Sequence, residues 1–140
     1  MKIYVLDTDI AGFVQSKNPI VLSHIKALTE DDSVVTTIVT FDEDLGGWLP
    51  ACRRATDGAS RAQAYIRLQR GLDFYREMLC LPFDDVAAGI FDDFRKQKLR
   101  IGTNDLAIAA ITLSVNGVLV TRNRVDFQKI SGLVIEDWTT

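Results

Sequence analysis

The sequence predicts an α/β protein: a doubly wound parallel sheet with helices on both faces, built as one domain over residues 1–140. Three observations predict it. Short apolar runs rich in β-branched residues alternate with stretches of helical periodicity, the pattern of parallel strands joined by crossover helices. One helical stretch, residues 104–116 (NDLAIAAITLSVN), is apolar on nearly every side, which marks a buried helix. Four acids, Asp7, Glu43, Asp105 and Asp126, each fall where a core element meets a turn. In such folds the site lies at the carboxyl ends of the strands.

Residues 2–7 read as a buried strand, and helical pattern follows over 8–15. A second helix is expected from Pro19 to Thr29, with proline suited to a first helical position. Residues 33–39 (SVVTTIV) form the next strand, and a helix over 41–53 follows with Thr40 as its N-cap. Ala64, Leu68, Leu72, Tyr75 and Leu79 recur at helical spacing over 60–79. A short strand at 79–83 and a helix at 84–98 precede the buried helix, for which Thr103 or Asn104 is the expected cap. Strand 117–121, a turn or short helix over 125–130, and a last strand at 133–136 complete the chain.

The length suits a sizeable core, and a hydrophobic fraction of 47% with 25% charged residues is that of a soluble globular protein. No apolar run approaches membrane-spanning length, and Met1 leads almost directly into core sequence, so a cytoplasmic protein with no membrane partner is expected. Cys52 and Cys80 lack CxxC spacing and are expected to be reduced and structural. The net charge of −3 argues weakly against a nucleic-acid partner, but without the four acids it would stand at +1. Arg95, Lys96, Lys98 and Arg100 precede Asp105, and Arg122 and Arg124 precede Asp126. Basic side chains beside an acidic pocket suit a polyanion; alone, the 95–100 cluster reads as a solvated helix face.

Carboxylates that converge repel one another unless a divalent cation neutralises them, so a metal site is the leading expectation. Each acid also has an ordinary explanation. Glu43 fits a capping box with Thr40, Asp105 suits the positive end of a helix, and Asp126 suits a turn. Asp7 is harder to dismiss, because an acid ending a buried strand needs a partner: a metal, the hydroxyls of Thr8 or Thr121, or an arginine. His24, the one histidine, is expected at a surface or boundary. No serine or cysteine triad and no phosphate-binding glycine loop is evident, and Trp48, Phe91 and Phe94 are candidates for a partner groove.

The segments YVLDTDI, TFDEDLGGW, IGTNDLAIAA and VTRNRVDF, followed by ISGLVIEDW, span nearly the whole chain. Their order and spacing resemble the PIN-domain family, and within it the VapC-type ribonuclease toxins of toxin–antitoxin pairs. The resemblance maps Asp7, Glu43, Asp105 and Asp126 onto the family's acids, with Asn123 in the accompanying polar position and Thr8 and Thr121 at hydroxyl positions that orient them. It implies Mg²⁺- or Mn²⁺-dependent cleavage of RNA phosphodiester bonds, inhibition by a small VapB-type antitoxin, and a homodimer. For such a hydrolysis we expect Asp7 and Asp105 as direct metal ligands and Glu43 and Asp126 as ligands or holders of the ion's waters, with Arg122 and Arg124 as candidates for contacts to substrate phosphate. Asp9 stands where the family often has asparagine, and Asp42 and Asp44 flank Glu43, so the acid that faces the metal is left open.

Two other readings compete. Asp7-Thr8-Asp9 after a strand is similar to the opening motif of haloacid-dehalogenase-type phosphatases, with Asp7 as nucleophile, although too little chain follows Thr121 for that family's later motifs. The same fold could also serve as a non-catalytic interaction or RNA-binding module.

Overall fold

The period of two in the central strand divides the core. In a computed structural model that describes residues 1–140, strand β1 (Ile3–Leu6) directs Tyr4 and Leu6 to one side and Val5 to the other. Tyr4 and Leu6 join Ile10, Val21, Val118, Val120 and Trp138 in one apolar cluster. Val5 joins Val35, Leu119, Phe94, Phe127 and the run Ile108–Ile111 in the other. Both faces of β1 are therefore covered, as a parallel sheet requires.

Five parallel strands lie in the order β3-β2-β1-β4-β5. The others are β2 (Ser33–Thr37), β3 (Cys80–Leu81), β4 (Val118–Val120) and β5 (Val134–Glu136). Tyr4 lies opposite Val34 on one side and Val118 on the other, which sets the register of the three central strands. The order reverses direction at β1 and β4, and the crevice above such a switch point is where open α/β sheets bind ligands.

Helices α1 (Thr8–Gln15) and α2 (Pro19–Lys26) cover the first face. Asn18 caps α2 by accepting from the amides of Ile20 and Val21. On the second face α5 (Asp85–Lys96) packs on α6 (Thr103–Ser114), in which every residue from Leu106 to Thr112 is buried. The short α7 (Arg124–Phe127) seats Phe127 in the same core. Helices α3 (Ile38–Arg54) and α4 (Gly58–Glu77) form a hairpin in which Gly71 passes so close to Leu45 that a Cβ there would lie 2.5 Å from its Cδ2. Phe94 is a core residue rather than part of a partner groove, while Phe91 and Trp48 are half-buried. Cys52 and Cys80 are free thiols, and no helix is long and apolar enough to cross a membrane.

One boundary departs from expectation with consequences for the site. The helix expected over 41–53 begins at Ile38, and its cap is Thr37, whose Oγ1 accepts from the Thr40 amide at 3.0 Å. Thr40 is thus inside the helix and fully buried, and no capping box with Glu43 forms. The β-branched run reads as strand through Val39, but the threonine hydroxyl cuts the strand short and starts the helix. The cap of α6 also differs: Gly102 holds that position and makes no side-chain bond, so neither Thr103 nor Asn104 is the cap.

Candidate active site

Asp7 sits one residue past β1 at the switch point. Its amide still donates to Val120 O at 3.0 Å, so the chain leaves the sheet only after the carboxylate has been set in place. Asp7 Oδ1 accepts from the Thr8 amide at 2.8 Å and caps α1. Its Oδ2 accepts from Thr121 Oγ1 at 2.7 Å, from the end of β4. The residue is only 7% exposed. Burial pushes its carboxyl above the ordinary range, a shift opposed by the bonds from Thr121 and Thr8 and reinforced by the charges of Asp9 and Glu43.

The displaced start of α3 puts Glu43 in the helix's second turn, free of any capping duty. Thr8 Oγ1 donates to Glu43 Oε1 at 2.7 Å, which ties α3 to the start of α1. Asp105, in the first turn of α6, has no hydrogen-bond partner, and its carboxyl is pushed up to about 6. Burial is the largest cause, followed by the charges of Asp7, Glu43, Asp126 and Asp9. Asp7, Thr8, Asp9, Glu43, Asp105 and Asn123 line one open cleft of about 200 Å³. Three of the four expected acids therefore meet in a single cleft.

Asp126 does not line it. Asn123 caps α7 by accepting from the Asp126 amide, and its Nδ2 donates to Asp126 Oδ2 at 3.0 Å. Lys129 Nζ lies 3.4 Å from Asp126 Oδ1. These partners, Asn123 first, hold the Asp126 carboxyl below its ordinary range. Asp126 thus flanks the cleft, near enough to act on Asp105, while Asn123 occupies the wall.

The neighbouring acids separate cleanly. Asp44 accepts from Gln15 Nε2, Tyr75 Oη and Arg67, a network joining α1, α3 and α4 away from the cleft. Asp42 is exposed and makes no hydrogen bond, so of the three consecutive acids only Glu43 faces Asp7 and Asp105. Asp9 does line the cleft and is paired with Arg122 at 3.3 Å. The Arg122 guanidinium also lies over the Phe13 ring, 4.9 Å from its centroid, so it is engaged at the rim, whereas Arg124 is exposed on α7. His24 stacks on Trp138 and bonds the carbonyl of Thr140, a boundary position.

Sequence reasoning missed Thr37 and the Asp44 network. A threonine three residues before Thr40, at the end of an apolar run, was the available signal for the first. The second depends on α3 and α4 folding back on each other, and no local pattern carries that.

The donors are all hard oxygens, and their mutual repulsion favours a bound cation. No three His, Cys, Asp or Glu side chains form a ready-made metal cage. An open, oxygen-lined cleft instead suits a divalent ion that keeps several of its waters.

No family model matches the chain. Ribonuclease VapC1 of Haemophilus influenzae (strain R2866) is 31% identical to it over 138 residues, which cover 98% of both chains. The chain belongs to the VapC ribonuclease family. Ribonuclease VapC2 of Rickettsia felis is 27% identical over 142 residues, covering 97% of this chain and 98% of that one. Among solved structures, a VapBC-1 structure from nontypeable Haemophilus influenzae superposes with a TM-score of 0.77 at 26% identity, covering 99% of each chain. The expected α/β PIN-type fold is thus the fold observed. Membership in the VapC family sets the phosphatase reading aside, because the match runs through every element of the chain.

Proposed function

We propose that the protein is a divalent-metal-dependent endoribonuclease, the toxin of a VapBC-type pair, working in the cytoplasm. The observation that carries this reading is the convergence of Asp7, Glu43 and Asp105 on one cleft above the β1–β4 switch point. Asp7, Glu43 and Asp105 would hold Mg²⁺ or Mn²⁺, and Asp126 would act from the flank through the ion's waters. When bound, such an ion supplies the positive charge that polarises a phosphoryl oxygen and lowers the pKa of water.

The chain's own residues contribute orientation and charge. Thr121 and Thr8 fix both oxygens of Asp7, and Thr8 also fixes Glu43, so two carboxylates are aimed before anything binds. Asn123 and Lys129 hold Asp126 in place. Arg122, steadied by Asp9 and Phe13, stands where a backbone phosphate would meet the cleft, and Arg124 lies just beyond it on α7.

The partners proposed are an RNA substrate, a small VapB-type antitoxin and a second copy of the chain. A purified-protein assay tests the reading: single-stranded RNA is cleaved with Mg²⁺ or Mn²⁺ present, and chelation stops cleavage. Cleavage that persists in excess chelator would refute the metal, and no cleavage of any RNA would favour the non-catalytic module instead. A small antitoxin encoded beside this gene should co-purify and inhibit, and light scattering should report a dimer.

A further inference from the structure

Beyond the acidic cleft, the last turn of α5 carries Arg95 and Lys96, and the connection from it to α6 carries Lys98 and Arg100. In sequence they read as a solvated helix face, but the fold gives them a concave surface. Arg95 and Lys98, with Leu99, Ile101, Thr103 and Leu106, line an open cavity of about 270 Å³ whose exposed walls are mainly polar. None of the four cations has a carboxylate partner, because the chain's three ion pairs use Arg67, Arg122 and Lys129. The Arg95 guanidinium rests over Phe91, 5.8 Å from the ring centroid, which narrows its range of positions.

This cavity adjoins the acids on two paths. Thr103 on its wall and Asp105 in the cleft belong to the same first turn of α6. Lys129 bridges the two regions, with Nζ 3.3 Å from Arg100 O and 3.4 Å from Asp126 Oδ1. Unpaired cations in a concavity raise the local concentration of polyanions. A ligand with charges repeated along a chain can occupy the cavity and the cleft together, whereas a single anion cannot. Leu99, Ile101 and Leu106 form part of its wall, but the surface it presents is mainly polar and cationic, which suits a charged strand better than the buried apolar anchor of a protein segment.

We infer that the cavity is a backbone-phosphate subsite for the RNA strand on one side of the cleavage point, with Arg95 and Lys98 as its phosphate contacts and Lys129 as the link to the cleft. The inference rests on the ribonuclease reading and adds a binding path to it. It is a sequence-independent contact, so it sets affinity and register and not the cleaved sequence.

The test uses full-length Asp7→Asn protein, which binds without cutting, and a short fluorescent single-stranded RNA titrated at several salt concentrations. Each phosphate contact removed lowers the log–log salt slope by about 0.7 for a single strand. Arg95→Gln with Lys98→Gly is therefore expected to lower the slope by about 1.4 and weaken binding roughly tenfold. Lys98 has a φ of 54°, a conformation glycine accepts more readily, so Lys98→Gly should keep or raise the melting temperature, and the loss cannot be assigned to unfolding. Lys26→Gln, which removes one charge from exposed α2 where the double variant removes two, serves as control.

A drop confined to the double variant supports the subsite. Unchanged affinity and slope overturn it, as does a drop with Lys26→Gln of about half the double variant's, which would mean a general charge effect. Loss of antitoxin binding with RNA binding intact would also overturn it and assign the cavity to the protein partner. If wild-type protein cleaves RNA while the double variant binds normally, the subsite fails and the ribonuclease reading stands. If wild-type protein neither binds nor cleaves RNA, both fail.

Discussion

Thr121 and Asp7 are separated by 114 positions, and a 2.7 Å hydrogen bond joins the hydroxyl of one to Oδ2 of the other in the buried crevice between β1 and β4. The bond couples fold to site. Parallel pairing of Leu6 with Val120 sets the two residues side by side, so the same register that builds the sheet aims the carboxylate. Thr121 Oγ1 also accepts from the Asn123 amide at 3.0 Å, which extends the chain of bonds toward Asp126.

Thr121→Val keeps the shape and removes both bonds. Leaving a buried carboxylate oxygen and an amide without partners should cost about 1–3 kcal/mol, and loss of an orienting group should lower cleavage by about 10–100-fold. Thr121→Ser restores the hydroxyl and should recover most of both. Urea denaturation and steady-state cleavage check this; a Thr121→Val protein of unaltered activity would show that Asp7 needs no positioning.

Asp7→Asn separates chemistry from folding. Asparagine caps helices about as well as aspartate, and the buried charge it removes is one that burial disfavours. Cleavage should fall by about a hundred- to thousandfold, in line with loss of one charge-stabilising group, while the melting temperature holds or rises. A melting temperature lowered by many degrees would mark Asp7 as a structural residue.

The pH dependence of the metal-free protein follows from Asp105. Its carboxyl is raised from 3.8 to about 6, so between those values the folded chain keeps a proton that the unfolded chain has released. Folding stability therefore falls as pH rises through that window, and the full penalty is present above it. Asp105→Asn should be more stable than wild type at pH 7 by on the order of 1–2 kcal/mol, after discounting the full linkage value for partial solvation. The gap should close below pH ~4. Asp7 shifts in the same direction, so some slope should survive in the variant. Thermal unfolding in chelator across this range reads the effect, and Mn²⁺ should stabilise wild type more than Asp105→Asn.

Asp44→Ala should act on the fold. It leaves the Arg67 guanidinium, the Tyr75 hydroxyl and the Gln15 amide without their shared acceptor, in a network where Arg67 Nη1 and Gln15 Oε1 already lack partners. Breaking a buried pair on one side costs about 3–5 kcal/mol, reduced here because Arg67 keeps some solvent contact. Denaturant midpoints should drop sharply, whereas Asp42→Ala should leave them nearly unchanged.

Much of this was legible in the residues. The β1 run and the apolar 104–116 stretch fixed the centre of the sheet and its buried helix, because burial on all sides leaves an unmistakable composition. The cleft followed from topology, since Asp7 ends a strand at the switch point. What the sequence hid was contingent on tertiary contacts. Thr40 and Glu43 form a sound capping box on paper, yet Thr37 claims the Thr40 amide first and moves the helix start. Asp126 has the right spacing, but Asn123 and Lys129 hold it outside the cleft wall. Asp44 and Glu43 are adjacent acids, and one helical position decides that Asp44 faces α4.

The most direct measurement is a crystal structure of the protein soaked in Mn²⁺, read from the metal's anomalous scattering. One Mn²⁺ is expected in the cleft, with carboxylate oxygens of Asp7 and Asp105 among its ligands and Glu43 within reach of it or of its waters. A cleft without metal at saturating Mn²⁺, with the ion bound elsewhere on the chain, would contradict it.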